Sequence, residues 1–277
     1  MKSRFFSYNY ADTLIHSLSG FSKLVCFLFL TFAVMYSYDI RVVLFIMAFS
    51  VWIMLISRIK FQQISLMVYY ALAFLLVNTI ITFFFSPEEG VAIYGTRHEL
   101  LRLSGRYIIT TEQLFYQGTK ISKYASVIPL GIIFLLTTNP SEFASSLNGV
   151  GVNYKISFAV ALTLRYFPDI QRTYKDISQA QQARGLEMSA KAGLGKRFKN
   201  ALQIIIPLIF STLDRIDLIT NAMDLRGFGK DKKRTWYVRK RLGYEDFLAM
   251  AISAILFILS LAVSAFINQS RFYNPFI

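Results

Sequence analysis

The side chains best placed to do chemistry in this 277-residue chain are three aspartates near its C-terminal third. Asp214 and Asp217 are three residues apart, so a helix would put them on one face, with Asp224 following two turns later. Paired aspartates can bind Mg²⁺, which makes a membrane-embedded enzyme acting on lipid or isoprenoid substrates one hypothesis. The alternative is that these carboxylates are solvated or paired with the neighbouring Lys and Arg residues, and we favour it.

The remaining reactive side chains are few and isolated. Cys26 is the only cysteine, which excludes disulfides, and His16 and His98 are too far apart in sequence to indicate a metal site. The segments 193–196 and 227–230 resemble a phosphate-binding loop but lack its first glycine and its final Ser or Thr. We therefore predict no catalytic residue, no bound metal and no cofactor in this chain.

A short arginine-centred motif occurs twice, 42 residues apart. Its two copies are Ala183-Arg184-Gly185 and Leu225-Arg226-Gly227. An arginine is favoured at a helix C-terminus by the helix dipole, and glycine favours the left-handed cap, so one copy would need only a structural explanation. Two copies predict two equivalent docking points, since a guanidinium can bind carboxylates or helix-terminal carbonyls in a bidentate way.

Helix signals surround both copies of the motif. Asn139 and Pro140 predict a helix start, and Asn148-Gly149 predict its end. A second helix is predicted over about 168–184 and a third over about 207–226, each with an apolar stripe that ends at the arginine. Two further apolar runs, 156–168 and 204–213, are too short to span a bilayer and are predicted to be separate helices, buried or interfacial, lying against the membrane domain.

Uncharged stretches predict about five transmembrane helices. Residues 64–85, 124–141 and 247–270 are long enough to span a hydrocarbon core of about 30 Å. Residues 24–38 and 42–57 are shorter, and they can span if Lys23, Arg41 and Arg58 extend to the interface. A hairpin that enters the bilayer and returns is the alternative for this pair, and we favour two full spans.

Composition and charge agree with a membrane protein that has one basic soluble segment. The chain is 55% hydrophobic and only 17% charged, whereas soluble domains contain about 25% charged residues. Residues 139–243 hold 18 Lys and Arg against 8 Asp and Glu, or 18 − 8 = +10 of the total charge of +14. Lys23, Arg58 and Lys60 assign the N-terminus and this segment to the cytoplasm. Residues 86–111 then lie outside, although they contain three arginines: Arg97, Arg102 and Arg106.

The ordered motifs of the basic segment resemble those of the transmembrane T component of energy-coupling factor (ECF) transporters, a branch of the ABC superfamily. The resemblance extends over about 100 residues. It rests on Thr137-Thr138-Asn139-Pro140-Ser141-Glu142, Leu164-Arg165-Tyr166-Phe167-Pro168, Ala183-Arg184-Gly185 and Leu225-Arg226-Gly227-Phe228-Gly229. Leu225 stands where many relatives have alanine.

The resemblance implies an all-α, L-shaped integral membrane protein with about five transmembrane helices and a set of cytoplasmic coupling helices. Residues 1–138 would form the membrane domain, 139–243 the coupling domain and 244–277 the last transmembrane helix. The residue triplets centred on Arg184 and Arg226 would each dock one of two ABC ATPase subunits, which bind the ATP and Mg²⁺. A membrane-embedded S component would bind the substrate, a vitamin or other micronutrient, in the bacterial plasma membrane.

Two other classes of protein fit the sequence less well. One is the permease subunit of an ordinary ABC importer or a secondary transporter. Secondary transporters usually carry charged residues at the middle of the bilayer and repeats of spans, whereas the three long predicted spans carry no charge and five spans give no obvious inverted repeat. The basic run at 230–241 includes an aromatic pair, but its position just before a span predicts a headgroup-binding anchor and no contact with nucleic acid.

Overall fold

The computed structural model describes residues 13–57, 59, 61–104, 107–186, 193–231, 235–237 and 240–276. The chain divides into two compact units. Unit 1 comprises residues 1–139 and 240–277, and unit 2 comprises residues 140–239. These boundaries fall close to those predicted at 138/139 and 243/244.

Unit 1 is built on five long helices. These are α2 (Gly20–Tyr36), α3 (Ile40–Ile56), α4 (Phe61–Phe85), α6 (Thr111–Thr137) and α10 (Tyr244–Ala262), the last continuing as a π-helical segment, Val263–Ile267. Three of the described helices are long and apolar enough to cross a membrane: Ile64–Phe85, Thr111–Thr137 and Tyr244–Ile267. The helices α2 and α3 are apolar but shorter, with 17 residues each. An all-α membrane protein is thereby confirmed.

The described part of unit 1 also has smaller elements, which the sequence analysis did not predict. A single helical turn, α1 (Leu14–Ser17), precedes α2, and α5 (Glu89–Tyr94) follows α4. An antiparallel hairpin of β1 (Glu99–Ser104) and β2 (Tyr107–Thr110) then leads into α6. Arg97 in this region pairs with Glu88 at 3.4 Å and with Glu99 at 3.0 Å, so part of the positive charge predicted to lie outside is neutralised locally.

The ends of the five long helices alternate between two sides of unit 1. At one side, the Asp246 carboxylate near the start of α10 accepts hydrogen bonds from Ser19 N at 2.8 Å and from the Ser22 hydroxyl, at the start of α2. On the same side, the Lys23 ammonium donates to the carbonyl of Thr137, the last residue of α6, at 2.8 Å. The chain therefore leaves unit 1 after α6 and returns to it before α10 on one side.

The opposite side holds the other helix ends. Asp39, which precedes α3, accepts hydrogen bonds from Arg41 and from Asn268, which follows α10. Near the start of α6, Gln113 Nε2 donates to the carbonyl of Ser86, just after α4, at 3.1 Å. Each successive long helix therefore runs in the direction opposite to the one before it, as in a multi-pass bundle.

Lys23 does not extend to an interface as predicted, because its side chain is buried and its ammonium caps a helix C-terminus. Arg41 is half-exposed and forms an ion pair with Asp39 at 2.8 Å. Arg58, Lys60 and Arg106 lie outside the described residues.

The core of unit 1 lies where α2, α3, α6 and α10 meet. Its buried members are Leu30, Ala33, Val34, Ile46 and Leu130. Hydroxyl groups connect these helices where the backbones approach closely: Ser126 donates to the carbonyl of Val43 at 3.3 Å, and Ser260 donates to that of Ala33 at 3.0 Å. By contrast, α4 packs against α6 and leaves most of its apolar side chains exposed.

The described residues of unit 2 form three helices, α7 (Pro140–Gly149), α8 (Tyr154–Ala183) and α9 (Leu194–Leu225). The limits predicted for α7 are confirmed. The helix starts predicted near 168 and 207 were wrong. The apolar run 156–168 belongs to α8 and the run 204–213 belongs to α9, so each run and the stripe that follows it form one continuous helix. Pro168 and Pro207 lie inside these helices, where each removes one backbone hydrogen bond without ending the helix.

Candidate docking site

The end of α8 places Arg184 at the C-cap position, with φ −84° and ψ 8°. Gly185 follows with φ +89°, the left-handed conformation that glycine adopts without a Cβ clash. Its N–H donates to Gln182 O at 2.9 Å, and the N–H of Leu186 donates to Gln181 O at 3.0 Å. This pair of bonds is a Schellman motif, which satisfies the carbonyls that the helix end would otherwise leave free.

The end of α9 repeats this geometry almost without change. Arg226 is the C-cap, with φ −86° and ψ 9°, and Gly227 has φ +68°. The Gly227 N–H donates to Asp224 O at 2.9 Å, and the Phe228 N–H donates to Met223 O at 3.0 Å. We call residues 183–186 the α8 tip and residues 225–228 the α9 tip. The repeat seen in the sequence is therefore also a repeat in backbone structure.

Both tips present their arginines to the surroundings of the chain. Arg184 and Arg226 are exposed, and Leu225 is 90% exposed. Within the described residues, neither guanidinium forms a hydrogen bond or an ion pair. A large apolar side chain and a charged fork left open at a rigid helix end are features of a binding surface.

The packing of α8 against α9 sets the separation of the tips. The two helices run antiparallel, because Phe158 near the start of α8 packs on Phe228 beyond the end of α9, with ring centroids 4.7 Å apart. Further along α8, Asp169 pairs with Arg215 at 3.7 Å. From Phe158, which lies level with the α9 tip, α8 continues for 26 residues to Arg184, or about 39 Å at 1.5 Å per residue. The structure therefore keeps the two arginines far apart.

The predicted apolar stripe of α9 faces α8. Ile216, Ile219 and Met223 line a groove of about 180 Å³ between the two helices, together with Lys155, Phe158, Ala159, Leu162, Thr220 and Phe228. The corresponding stripe of α8 is covered to a similar extent: its Tyr174 is 42% exposed, and Ile216 on α9 is 49% exposed. Sequence reasoning quoted Phe228 only as part of the motif and missed its contact with α8. The signal that could have revealed it is the hydrophobic residue directly after the capping glycine.

The aspartates that suggested an enzyme lie on one helix of unit 2. Asp214, Asp217 and Asp224 are all exposed on α9. Among the described residues, no group of three or more His, Cys, Asp or Glu side chains is arranged to hold a metal ion. No observation on these residues favours the enzyme hypothesis.

Comparison with known proteins shows which family the chain belongs to. The family model described as CbiQ, cobalt transport protein, matches residues 11–237. The chain is similar to the energy-coupling factor transporter transmembrane protein EcfT of Lactococcus lactis subsp. cremoris, with 28% identity over 214 residues, 70% of this chain and 80% of the relative. It is also similar to EcfT of Streptococcus equi subsp. equi, with 25% identity over 253 residues, 88% of this chain and 90% of the relative.

A further similarity is to a longer protein of Bifidobacterium longum named putative ABC transporter ATP-binding protein. The two are 31% identical over 144 residues, which is 49% of this chain and 18% of that protein. The family match covers most of the chain, including both arginine motifs, and agrees with the apolar helices of unit 1. The chain therefore belongs to the CbiQ family, the transmembrane T components of energy-coupling factor transporters.

Proposed function

We propose that this chain is the scaffold and coupling subunit of an ECF-type ABC importer, in which it transmits ATP-driven movement of two ATPase subunits to a substrate-binding S component. The transported substrate would be a vitamin or other micronutrient. The observation that carries the proposal is the pair of matching helix ends with exposed arginines. The chain itself catalyses no reaction, and its partners bind the ATP and Mg²⁺.

The two tips suit two separate subunits better than one. A separation of about 39 Å along α8 exceeds the reach of any single side-chain pocket, so each arginine must bind its own groove. The guanidinium supplies paired N–H donors in a fixed plane, which match a carboxylate or the free carbonyls of a helix end. The similarity to a protein named as ATP-binding supports ABC ATPases as the partners.

Movement of the tips would pass into the rest of the chain through α8 and α9. Both helices are long, and each is interrupted near its middle by a proline that removes one backbone hydrogen bond. If two ATPase subunits approach each other on binding ATP, the tips that they hold must move as well. The proline positions are where we expect each helix to bend.

Unit 1 supports the proposed location of the chain. Its five long helices alternate in direction, and α6 and α10 connect to unit 2 on the same side. We propose that all five cross the bacterial plasma membrane and that the N-terminus and unit 2 are cytoplasmic, where Lys and Arg are favoured. The exposed apolar side chains of unit 1 would face lipid and the S component.

Co-purification of the chain with its ATPase subunits tests the proposal. The double variant Arg184→Glu with Arg226→Glu should lose both ATPases, because each reversed charge repels a site built for a cation. The double Lys variant should weaken the complex, since an ammonium cannot bind in the bidentate way. Lys175→Glu, an exposed charge reversal on α8, is the matched control and should keep the complex. A full complex with the double Glu variant would refute the proposal.

A further inference from the structure

The two tips have the same backbone, but their surroundings differ. At the last residue of the α9 tip, the Phe228 ring packs on Tyr154 with centroids 5.8 Å apart and on Phe158 with centroids 4.7 Å apart. The Tyr154 hydroxyl also donates to the carbonyl of Asp231 at 2.9 Å. Residues beyond the α9 tip are thus fastened to the first turns of α8 by an aromatic cluster, which we define as Tyr154, Phe158 and Phe228.

A third attachment lies further along the same segment. The indole N–H of Trp236 donates to the side-chain oxygen of Asn148, near the end of α7, at 3.1 Å. Phe228, Asp231 and Trp236, all within ten residues after Arg226, therefore contact α8 or α7. In the part of unit 2 that the structure describes, the α8 tip has no hydrogen bond, ion pair or ring contact beyond its own helix.

These contacts act on the residue that follows the capping glycine. In a Schellman motif this residue sets the direction in which the chain leaves the helix, and it donates the bond that closes the motif. Phe228 holds this position in the α9 tip and Leu186 holds it in the α8 tip. Because the Phe228 ring is held by α8, the turn that carries Arg226 is fixed before any partner binds. Pre-ordering of this kind reduces the conformational entropy lost on binding.

We infer that the two docking tips are inequivalent, and that Phe228 is a positioning residue that pre-orders the Arg226 tip for one ATPase subunit, whereas the Arg184 tip has no such aromatic support within the described residues. The inference rests on the proposed function, since it concerns the same two tips. It predicts that the chain binds its two ATPase subunits differently. Both tips carry an arginine, and the difference comes from the aromatic cluster, which supports the α9 tip.

The first experiment needs no partner. Backbone amide hydrogen exchange is measured on the purified chain in detergent, for the native sequence, for Phe228→Ala and for Leu186→Ala. Phe228→Ala should speed exchange at residues 227 and 228 about tenfold, because the ring contacts that hold the turn are lost, equivalent to about 1.4 kcal/mol. Leu186→Ala should change exchange at residues 185 and 186 less than twofold, as roughly expected for a side chain without such contacts. Unchanged exchange at residue 228 would overturn the inference.

The second experiment measures docking at each tip separately. Cys26 is the only cysteine, so Cys26→Ser gives a background into which Gln182→Cys or Asp224→Cys is introduced at an exposed position two residues before each arginine. Each cysteine is then cross-linked to the co-expressed ATPase subunits. Adding Phe228→Ala should lower cross-linking at position 224 about tenfold and leave position 182 unchanged, while Phe228→Tyr, which keeps the ring, should restore it.

The outcomes separate this inference from the proposed function. If neither cysteine cross-links in the native background, the docking proposal fails, and the inference fails with it. If both cross-link and Phe228→Ala leaves position 224 unaffected, docking stands and the positioning role of Phe228 is overturned. Equal loss at both positions would also overturn it, because Phe228 would then support unit 2 as a whole.

Discussion

Replacing Asp246 with asparagine should weaken the contact between α2 and α10 and so lower the free energy of unfolding of unit 1. Asp246 is 5% exposed, and its carboxylate accepts the Ser19 N–H at 2.8 Å, the Ser22 hydroxyl, and the Gly243 N–H at 2.9 Å. Ser19 is the N-cap of α2 and Gly243 is the N-cap of α10. One negative charge therefore satisfies donors at the N-termini of two parallel helices, where the helix dipoles also favour it.

The expected loss of stability follows from these contacts. Asparagine keeps one carbonyl oxygen, but its amide group then faces the Gly243 N–H, so one hydrogen bond to a charged acceptor is lost, worth about 1.5–3 kcal/mol. Loss of the charge at two helix N-termini adds about 0.3–1 kcal/mol at each. We therefore expect Asp246→Asn to lower the free energy of unfolding by about 3 kcal/mol. The neighbouring Glu245 is the control, because it accepts one long bond of 3.3 Å from Ser17 at an exposed site. Glu245→Gln should cost less than about 0.5 kcal/mol.

Cys26 provides the assay for this prediction. It lies on α2, is half-buried and is the only cysteine in the chain, so its reaction with a thiol-reactive dye during denaturant unfolding in detergent reports the opening of α2. A double-mutant cycle with Ser22→Ala isolates the contact between the two helices. The reasoning is refuted if Asp246→Asn unfolds at the same denaturant concentration as Glu245→Gln, or if the cycle gives no coupling.

Three further predictions concern other capping and charged groups. Lys23→Gln should cost about 1–3 kcal/mol in the same unfolding assay, because the last carbonyl of α6 loses a charged donor, whereas the same change at an exposed lysine of unit 2 should be neutral. Gly185→Ala and Gly227→Ala should each cost about 1–2 kcal/mol, measured by unfolding, and should weaken co-purification with the ATPases, because both positions have positive φ; no loss at either would contradict the capping geometry. Burial raises the pKa of the Asp39 carboxyl, but hydrogen bonds from Arg41 and Asn268 lower it more, so its pKa lies below the ordinary value. The ionised Asp39 therefore stabilises the fold at pH values above the ordinary pKa of a carboxyl, and this stabilisation is lost as the pH falls through the lowered pKa of Asp39. Asp39→Asn should accordingly flatten the acid side of a profile of stability against pH. An unchanged profile would refute this prediction.

The features that the sequence predicted correctly depend on short stretches of chain. The ends of α8 and α9 follow from a helix-forming segment, an arginine and a glycine, because only glycine enters the left-handed region at little cost. Likewise, α4 and α10 follow from the uncharged runs 64–85 and 247–270, whereas the span predicted at 124–141 corresponds to a helix over Thr111–Thr137 that includes Glu112, Lys120 and Lys123. The starts of α8 and α9 were predicted wrongly because a proline inside an apolar run was taken as a helix start. Local rules favour that choice, but helices this long tolerate one missing bond.

The sequence by itself therefore determined that the chain is a helical membrane protein with two arginine-tipped helix ends, since these properties depend on residues that are near one another in the chain. Only the tertiary structure decided which partners the buried polar groups have and how the two tips differ. Asp246 meets Ser19 across 227 residues, Lys23 meets Thr137 across 114, and Tyr154 meets Asp231 across 77. Such pairings depend on the packing of whole helices, and no local pattern specifies them.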